Sequence, residues 1–262
     1  MITRNIEKAK EAYKSKNAEA SRAAHNVKHA PELHNQEQGQ YIKSAIYGGL
    51  DGIITTFAVV AGVAGAHLST GIVLILGFAN LIADGISMAI GDYLSTKAEK
   101  EYNKTERERE AWEIENYPDG EKQELVELYS DKGIPEKDAE TIVNILAKYK
   151  EAWIDVMMVE ELGILESNES PLKNAVVTFL SFAIFGFIPL ITYILARFIP
   201  GLESQSFIIA CALTAITLFT LGALKTKVTS QKWYISGFEM FLVGGLAASA
   251  AYIIGSLLSG LA

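Results

Sequence analysis

Five long apolar runs dominate this sequence, near 44–67, 71–94, 172–199, 205–225 and 233–260. Each is long enough to cross a hydrocarbon core, which takes about 20 helical residues. A backbone in lipid must satisfy its own hydrogen bonds, so the runs predict an all-α integral membrane protein with five transmembrane helices. Only His67-Leu68-Ser69-Thr70 separates the first two runs, which requires a tight helical hairpin. Pro189 falls inside the third and predicts a kink there, tolerable where neighbouring helices satisfy the freed backbone groups. Charge is segregated from these runs. Residues 97–169 hold 21 of the 31 acids and 10 of the 23 bases, so a polar module is inserted between spans two and three. The expected organisation is a polar segment at 1–40, spans one and two at 41–94, a helical insert at 95–170, and spans three to five at 171–262.

Basic residues set the orientation. Lys225, Lys227 and Lys232 fill the loop between spans four and five, and the N-terminal segment and the insert carry many more. The loop between spans one and two has none, and that between three and four has only Arg197. Basic loops stay in the cytosol, which puts the N-terminus and the insert there and the C-terminus on the other side. Residues 1–40 have no apolar core of the kind a secretory leader needs. The single cysteine, Cys211, excludes a disulfide framework or thiolate metal site. A net charge of −8 argues against nucleic acid as a partner, since phosphate binding needs clustered Lys and Arg.

The insert reads as three helices, at about 94–116, 121–132 and 135–163, the first continuing from span two. Asn116-Tyr117-Pro118-Asp119-Gly120 and Asp131-Lys132-Gly133 mark the breaks. In the third helix Ile142, Ile145, Leu146, Tyr149 and Trp153 recur at spacings of three and four and predict a buried stripe. Glycines are dense in spans one, two and five. Helix packing accounts for most of them, and a narrow pathway or a dimer seam is the sharper reading.

The membrane runs carry acid. Asp51 lies in Gly48-Gly49-Leu50-Asp51-Gly52, and Asp84, Met88 and Asp92 are spaced four apart in span two, so they share a face. Charge inside a membrane is costly and usually kept for a function. Carboxylate oxygen with thioether sulfur suits a borderline divalent ion such as Fe(II) better than Mg or Ca. Against this, Met88 alone is ordinary core filler, and Asp92 near the boundary is expected to face water or an ion pair. In the insert Glu106, Glu110 and Glu113 form one stripe, Glu121 and Glu124 are a turn apart, and Met157, Met158 and Glu161 cluster where the chain returns to the membrane. Packed together they form a carboxylate-and-thioether pocket; unpacked they are solvated faces paired with Arg107 and Arg109. There is no Walker loop, H-E-x-x-H or nucleophile elbow. His25, His29, His34 and His67 lie outside the acidic clusters. His25 and His29, four apart, read as surface residues.

Three stretches carry a resemblance: Y-G-G-L-D-G-I-I-T-T-F-A-V-V-A-G-V-A-G at 47–65, I-S-M-A-I-G-D-Y-L-S-T-K-A-E at 86–99 and A-W-I-D-V-M-M-V-E-E-L-G at 152–163. With the spans and the insert, they make residues from about 40 to 260 resemble the vacuolar iron transporter family, which includes the yeast vacuolar iron and manganese carrier. The resemblance implies a homodimeric Fe(II)/proton antiporter that loads a vacuole or other endomembrane compartment from the cytosol. It places the translocation path on Asp51 and Met88. It also implies, as in plant-type members, a cytosolic metal-binding insert with ligands Glu110, Glu113, Glu121, Glu124, Met157, Met158 and Glu161. Some relatives carry an acid two turns before the span-two Met, where this chain has Asn80; Asp84 is the substitute on the same face. The expected partners are divalent ions, protons, lipid and a second copy of the chain. No cofactor is expected: Fe(II) is cargo, with Mn(II), Zn(II) and Co(II) as further ions the insert could bind. The competing class is a non-transporting membrane metal sensor or scaffold, against which the buried Asp51 and Asp84 speak.

Overall fold

A computed structural model of the protein describes residues 8, 11–13, 15–25, 36–165, 169–229 and 231–261. The chain divides into two compact units, Met1–Lys43 and Ser44–Ala262. In the first, helix α1 (Ala18–His25) starts at Asn17, whose Oδ1 accepts the amides of Glu19 and Ala20, each at 3.0 Å. This is the ordinary use of an asparagine to satisfy the first free N–H groups of a helix. His29 and His34 lie outside the described residues, as does the side chain of His25.

The remaining helices are α2 (Gln36–Gly65), α3 (Thr70–Asn116), α4 (Pro118–Asp131), α5 (Glu136–Leu146), α6 (Lys150–Glu160), α7 (Pro171–Leu195), α8 (Ser206–Thr229) and α9 (Trp233–Leu258). Among the described residues there is no strand. Five helices are long and apolar enough to cross a membrane: Tyr41–Gly65 of α2, α3, α7, Glu203–Thr226 with α8, and α9. They coincide with the five runs expected from the sequence. Pro189 is buried inside α7 without ending it.

The hairpin between α2 and α3 is closed by backbone geometry. Leu68 N donates to Val63 O at 3.1 Å and His67 N to Ala64 O at 3.1 Å, with His67 at φ 57°. This is the Schellman arrangement, in which a left-handed residue after the helix lets the last carbonyls find donors.

Small residues decide how the spans pack. A Cβ on Gly52 would lie 2.3 Å from Phe182 O, and one on Gly48 2.5 Å from Thr178 O, so α2 meets the backbone of α7 directly. At the other end of α2, a Cβ on Gly65 would lie 2.3 Å from Tyr252 O, and one on Gly255 2.0 Å from Gly62 O. α2 is thus held between α7 and α9 at distances only glycine permits. α3 packs along α7, and α8 packs on both α7 and α9. Phe57, Val60, Val63, Val73, Leu190, Tyr193 and Ala210 from α2, α3, α7 and α8 share one buried cluster. Gly91 and Gly245 have open space around them, so packing does not explain those two.

Between spans two and three, α3 runs on without a break to Asn116; α4 and α6 pack against its extension, and α5 packs on α4 and α6. Their core is Ile114, Leu125, Val126, Ala139, Val143, Trp153, Ile154, Met157 and Met158. Two expectations need correction. The third helix of the insert is two helices, because the chain leaves helical geometry at Tyr149 (φ −125°, ψ 86°). The buried stripe also differs from the expected one. Ile142, Ile145 and Tyr149 are exposed, whereas Ala139 and Val143 are buried before the turn and Trp153, Ile154 and Met157 after it. Both sets keep one helical phase, so the break does not re-aim them; it lets two short helices fold about one core instead of extending as a single rod.

The close α2–α7 contact predicts that Gly52→Ala lowers stability by about 1–3 kcal/mol, because backbone cannot retreat as a side chain can. Gly91→Ala, in open space, stays within about 0.5 kcal/mol of the parent. Thermal midpoints of the detergent-solubilised chain distinguish them; equal midpoints would contradict the packing described.

Candidate metal centre

The insert places its acids by helix geometry. Glu106, Glu110 and Glu113 lie on one face of the α3 extension. Glu121 and Glu124 lie on the first turns of α4, which starts at Pro118 immediately after α3 ends. Glu161 follows the last residue of α6. Carboxylate oxygens of Glu110, Glu113 and Glu121 lie within 4.8 Å of one another, and so do those of Glu121, Glu124 and Glu161. Glu121 belongs to both trios, which makes one cluster of five carboxylates drawn from three elements. Among the described residues, no other His, Cys, Asp or Glu side chains converge in this way.

Burial is uneven across the cluster. Glu110 is 0% exposed and Glu121 5%, while Glu124 and Glu161 reach the surface. Oε2 of Glu110 and Oε2 of Glu121 are buried with no hydrogen-bond partner. Buried carboxylate oxygens without donors are expensive, and a bound cation or a proton removes the cost. Met157 and Met158 are buried in the apolar core of the insert. That core adjoins the cluster through Ile114 and Leu125, the residues next to Glu113 and Glu124. The structure therefore brings together the five expected glutamates, and it seats the two expected methionines in the neighbouring core.

Cations flank the cluster. Arg109 Nη2 donates to Glu106 Oε2 at 3.0 Å and to Glu110 Oε1 at 3.1 Å, and its Nε is 3.9 Å from Glu113 Oε2. Arg107 reaches across to α6 instead, pairing with Asp155 at 2.5 Å and Glu151 at 3.1 Å. Lys150 pairs with Glu115 and Lys132 with Glu160. The last three fasten the helices around the cluster. Among the cations whose pairs are described, Arg109 is the one that enters it.

Burial pushes the Glu110 carboxyl up to about 7, helped by the charges of Glu161, Glu113 and Glu124 and opposed by Arg109. Burial likewise raises Glu121 to about 7, with Glu124 the strongest of its like-charged neighbours. Glu161 is raised by burial and then by Glu124.

In the membrane-spanning part Asp51 on α2 is half-buried, as are Asn80, Asp84, Met88 and Asp92 on α3. Asp84 is close enough for its charge to act on Asp51. Asn80 Nδ2 donates to Thr55 Oγ1 at 3.5 Å, and Thr55 Oγ1 donates to Asp51 O at 2.8 Å. Asn80 thus joins α3 to the turn of α2 that carries Asp51. Asp92, expected to face water or an ion pair, instead bonds two hydroxyls among the described residues. Thr178 Oγ1 donates to Asp92 Oδ2 at 2.5 Å and Thr96 Oγ1 to Oδ1 at 3.5 Å. Asn174 Nδ2 donates to Thr96 Oγ1 at 3.4 Å and to Glu169 Oε2 at 2.7 Å. Thr178 and Asn174 are buried on α7, so Asp92 serves as a polar clasp between α3 and α7. The sequence offered one cue to this partner: Asn174, Thr178 and Ser181 recur at helical spacing in an otherwise apolar run.

Carboxyls raised on folding bind protons more tightly in the folded state, so they add stability at low pH that is lost as pH rises. For Glu110 and Glu121 the window runs from 4.5, the ordinary value, to about 7. The thermal midpoint of the metal-free chain is expected to fall across that window, and to fall less in Glu110→Gln/Glu121→Gln. Equal slopes in both would remove the assigned coupling.

The VIT family model matches residues 42–256. The chain is 42% identical over 268 residues to the vacuolar iron transporter of Toxoplasma gondii (strain ATCC 50861 / VEG), covering 97% of this chain and 89% of the relative. It is 36% identical to the vacuolar iron transporter of Plasmodium falciparum (isolate 3D7), covering 98% of each. Against vacuolar iron transporter 1 of Arabidopsis thaliana it is 34% identical, over 82% of this chain and 85% of that one. With five spanning helices and a match across most of its length, the chain belongs to the VIT family.

Proposed function

We propose that this protein is a secondary transporter that carries Fe(II) from the cytosol into a vacuole-like compartment in exchange for protons. Its relatives are vacuolar iron transporters, and its five spans suit an integral protein of a vacuolar or other endomembrane. The observation that carries the reading is the continuity of α3. One helix of 47 residues holds Asp84 and Met88 in the apolar part and Glu110 and Glu113 in the insert. A helix that long spans about 70 Å, enough to cross a bilayer and extend well beyond it.

In this reading the insert is cytosolic, as its basic content and the basic loop at Lys225 and Lys232 require. Glu110, Glu113, Glu121, Glu124 and Glu161 gather the ion, with Met157 and Met158 as thioether donors beside them. Asp51 and Met88 take it through the membrane, with Asp84 supporting Asp51. Glu110 and Glu121 hold either a proton or part of a cation's coordination shell, so loading the metal releases protons. Groups near pH 7 make that exchange at small free-energy cost in either direction. Carboxylates with thioethers also accept Mn(II), Zn(II) and Co(II), which sets the range of ions to compare. The mostly exposed α9, with open space at Gly245, provides the seam for a homodimer.

A metal sensor or scaffold would need the glutamate cluster and nothing inside the membrane. The contacts joining Asn80, Thr55 and Asp51 favour transport over that alternative.

Proteoliposomes with an acidic lumen test the proposal. Fe(II) uptake is expected to depend on the pH gradient and to fall by at least tenfold in Asp51→Asn, which keeps size and removes charge. Uptake at the parent rate by that variant would remove the assigned pathway, and no uptake by the parent would favour the sensor. Competition by Mn(II), Zn(II) and Co(II) in the same vesicles ranks the cargo.

A further inference from the structure

We propose that Arg109 is a resident counter-cation of the glutamate cluster, which the incoming metal must displace, and that it sets how tightly the insert holds its ion. The inference rests on the reading of that cluster as a metal centre.

Arg109 makes its contacts with the acids that would bind the metal. Its guanidinium joins Glu106, Glu110 and Glu113, and the last two form a carboxylate trio with Glu121. It engages Oε1 of Glu110 and leaves Oε2 of that side chain, and Oε2 of Glu121, buried and unpartnered. One positive charge therefore holds one oxygen of Glu110 while the other stays open. It cannot neutralise five carboxylates, so the attraction for a divalent ion persists.

The arrangement has two consequences. Without metal, Glu106, Glu110 and Glu113 repel one another at spacings of three and four along α3, and Arg109 compensates that repulsion. With metal, a doubly charged ion among Glu110, Glu113 and Glu121 lies beside the guanidinium and is repelled by it. For charges of two and one about 5 Å apart, even water-like screening leaves a repulsion worth about tenfold in affinity. The Arg109 side chain is 47% exposed, so it can swing into solvent without losing a buried environment. A centre that must pass its ion onward gains from such a competitor, since weaker holding means faster release. Arg107 has no comparable role, because its described partners Glu151 and Asp155 lie on α6 outside both trios.

The test is anaerobic calorimetric titration of the detergent-solubilised full chain with Fe(II). Arg109→Gln is expected to bind about tenfold more tightly than the parent, and Arg109→Lys, which keeps the charge, within about twofold of it. Unchanged or weaker binding by Arg109→Gln overturns the proposal. Glu110→Gln/Glu121→Gln locates the site independently. If it abolishes binding while Arg109→Gln changes nothing, the centre stands and Arg109's role falls; if the parent binds no Fe(II), both fall. A second readout needs no variant. Phenylglyoxal labelling of Arg109, followed by mass spectrometry, is expected to rise several-fold on adding Fe(II), with Arg107 as the internal reference. Labelling of Arg109 that stays constant relative to Arg107 overturns displacement.

Discussion

The unbroken backbone of α3 is the constraint on which the rest depends. In lipid a helix satisfies every peptide group internally, and nothing between Thr70 and Asn116 interrupts the ladder: the segment contains no proline. Its glycines at 77, 85 and 91 lower helix propensity, but two of them are where Leu190 and Phe179 pack. The result is one rigid element that fixes the distance and rotational phase between Asp84 and Glu110. Glu106, Arg109, Glu110 and Glu113 are therefore indexed to the membrane by counting along a single helix. A break at the membrane boundary would leave the cluster intact and disconnect it from the spans.

Carboxylate repulsion is the second organising force. Five glutamates within two overlapping trios would separate if the helices carrying them were free. They are held by apolar burial of Trp153, Ile154, Met157 and Leu125, and by the Arg107, Lys150 and Lys132 pairs at the periphery. Exposed ion pairs contribute about 0–1 kcal/mol each, so the core carries most of that work. The remaining strain falls on Glu110 and Glu121, the two most buried acids, and appears as their raised proton affinity. Proton, guanidinium and metal ion are then three alternative answers to one electrostatic problem.

Much of this was legible in the sequence because it depends on counting. Span length, basic loops and the i, i+4 spacing of Asp84, Met88 and Asp92 need no tertiary information. Glu110, Glu113, Glu121, Glu124 and Glu161 were likewise singled out before any contact was known. What could not be read was set by three-dimensional neighbours. Nothing in Leu146-Ala147-Lys148-Tyr149-Lys150 announces a break, since it holds neither glycine nor proline, yet the helix ends there so that Val143 and Trp153 can share a core. Asp92 looked like a boundary acid because its partner Thr178 is 86 residues away. Arg109 looked like a solvated i, i+4 partner, and only the convergence of α4 and α6 gives its pairing a consequence.

The two polar regions differ in how they are satisfied, and the difference bears on function. Asp92 accepts from two threonine hydroxyls, which are neutral donors locked into helices α3 and α7. Such a carboxylate is not free to exchange partners without parting the helices. Glu110 and Glu121 each keep one oxygen with no donor at all. A fixed clasp and a pair of open carboxylates are thus built from the same residue chemistry, distinguished by whether the neighbouring helix supplies a hydroxyl. The physical criterion separating a structural acid from a binding one here is the unmet oxygen rather than the charge. Applied along α3, it assigns Asp92 to holding the spans together and sets Glu110 apart as the acid with an oxygen left to fill.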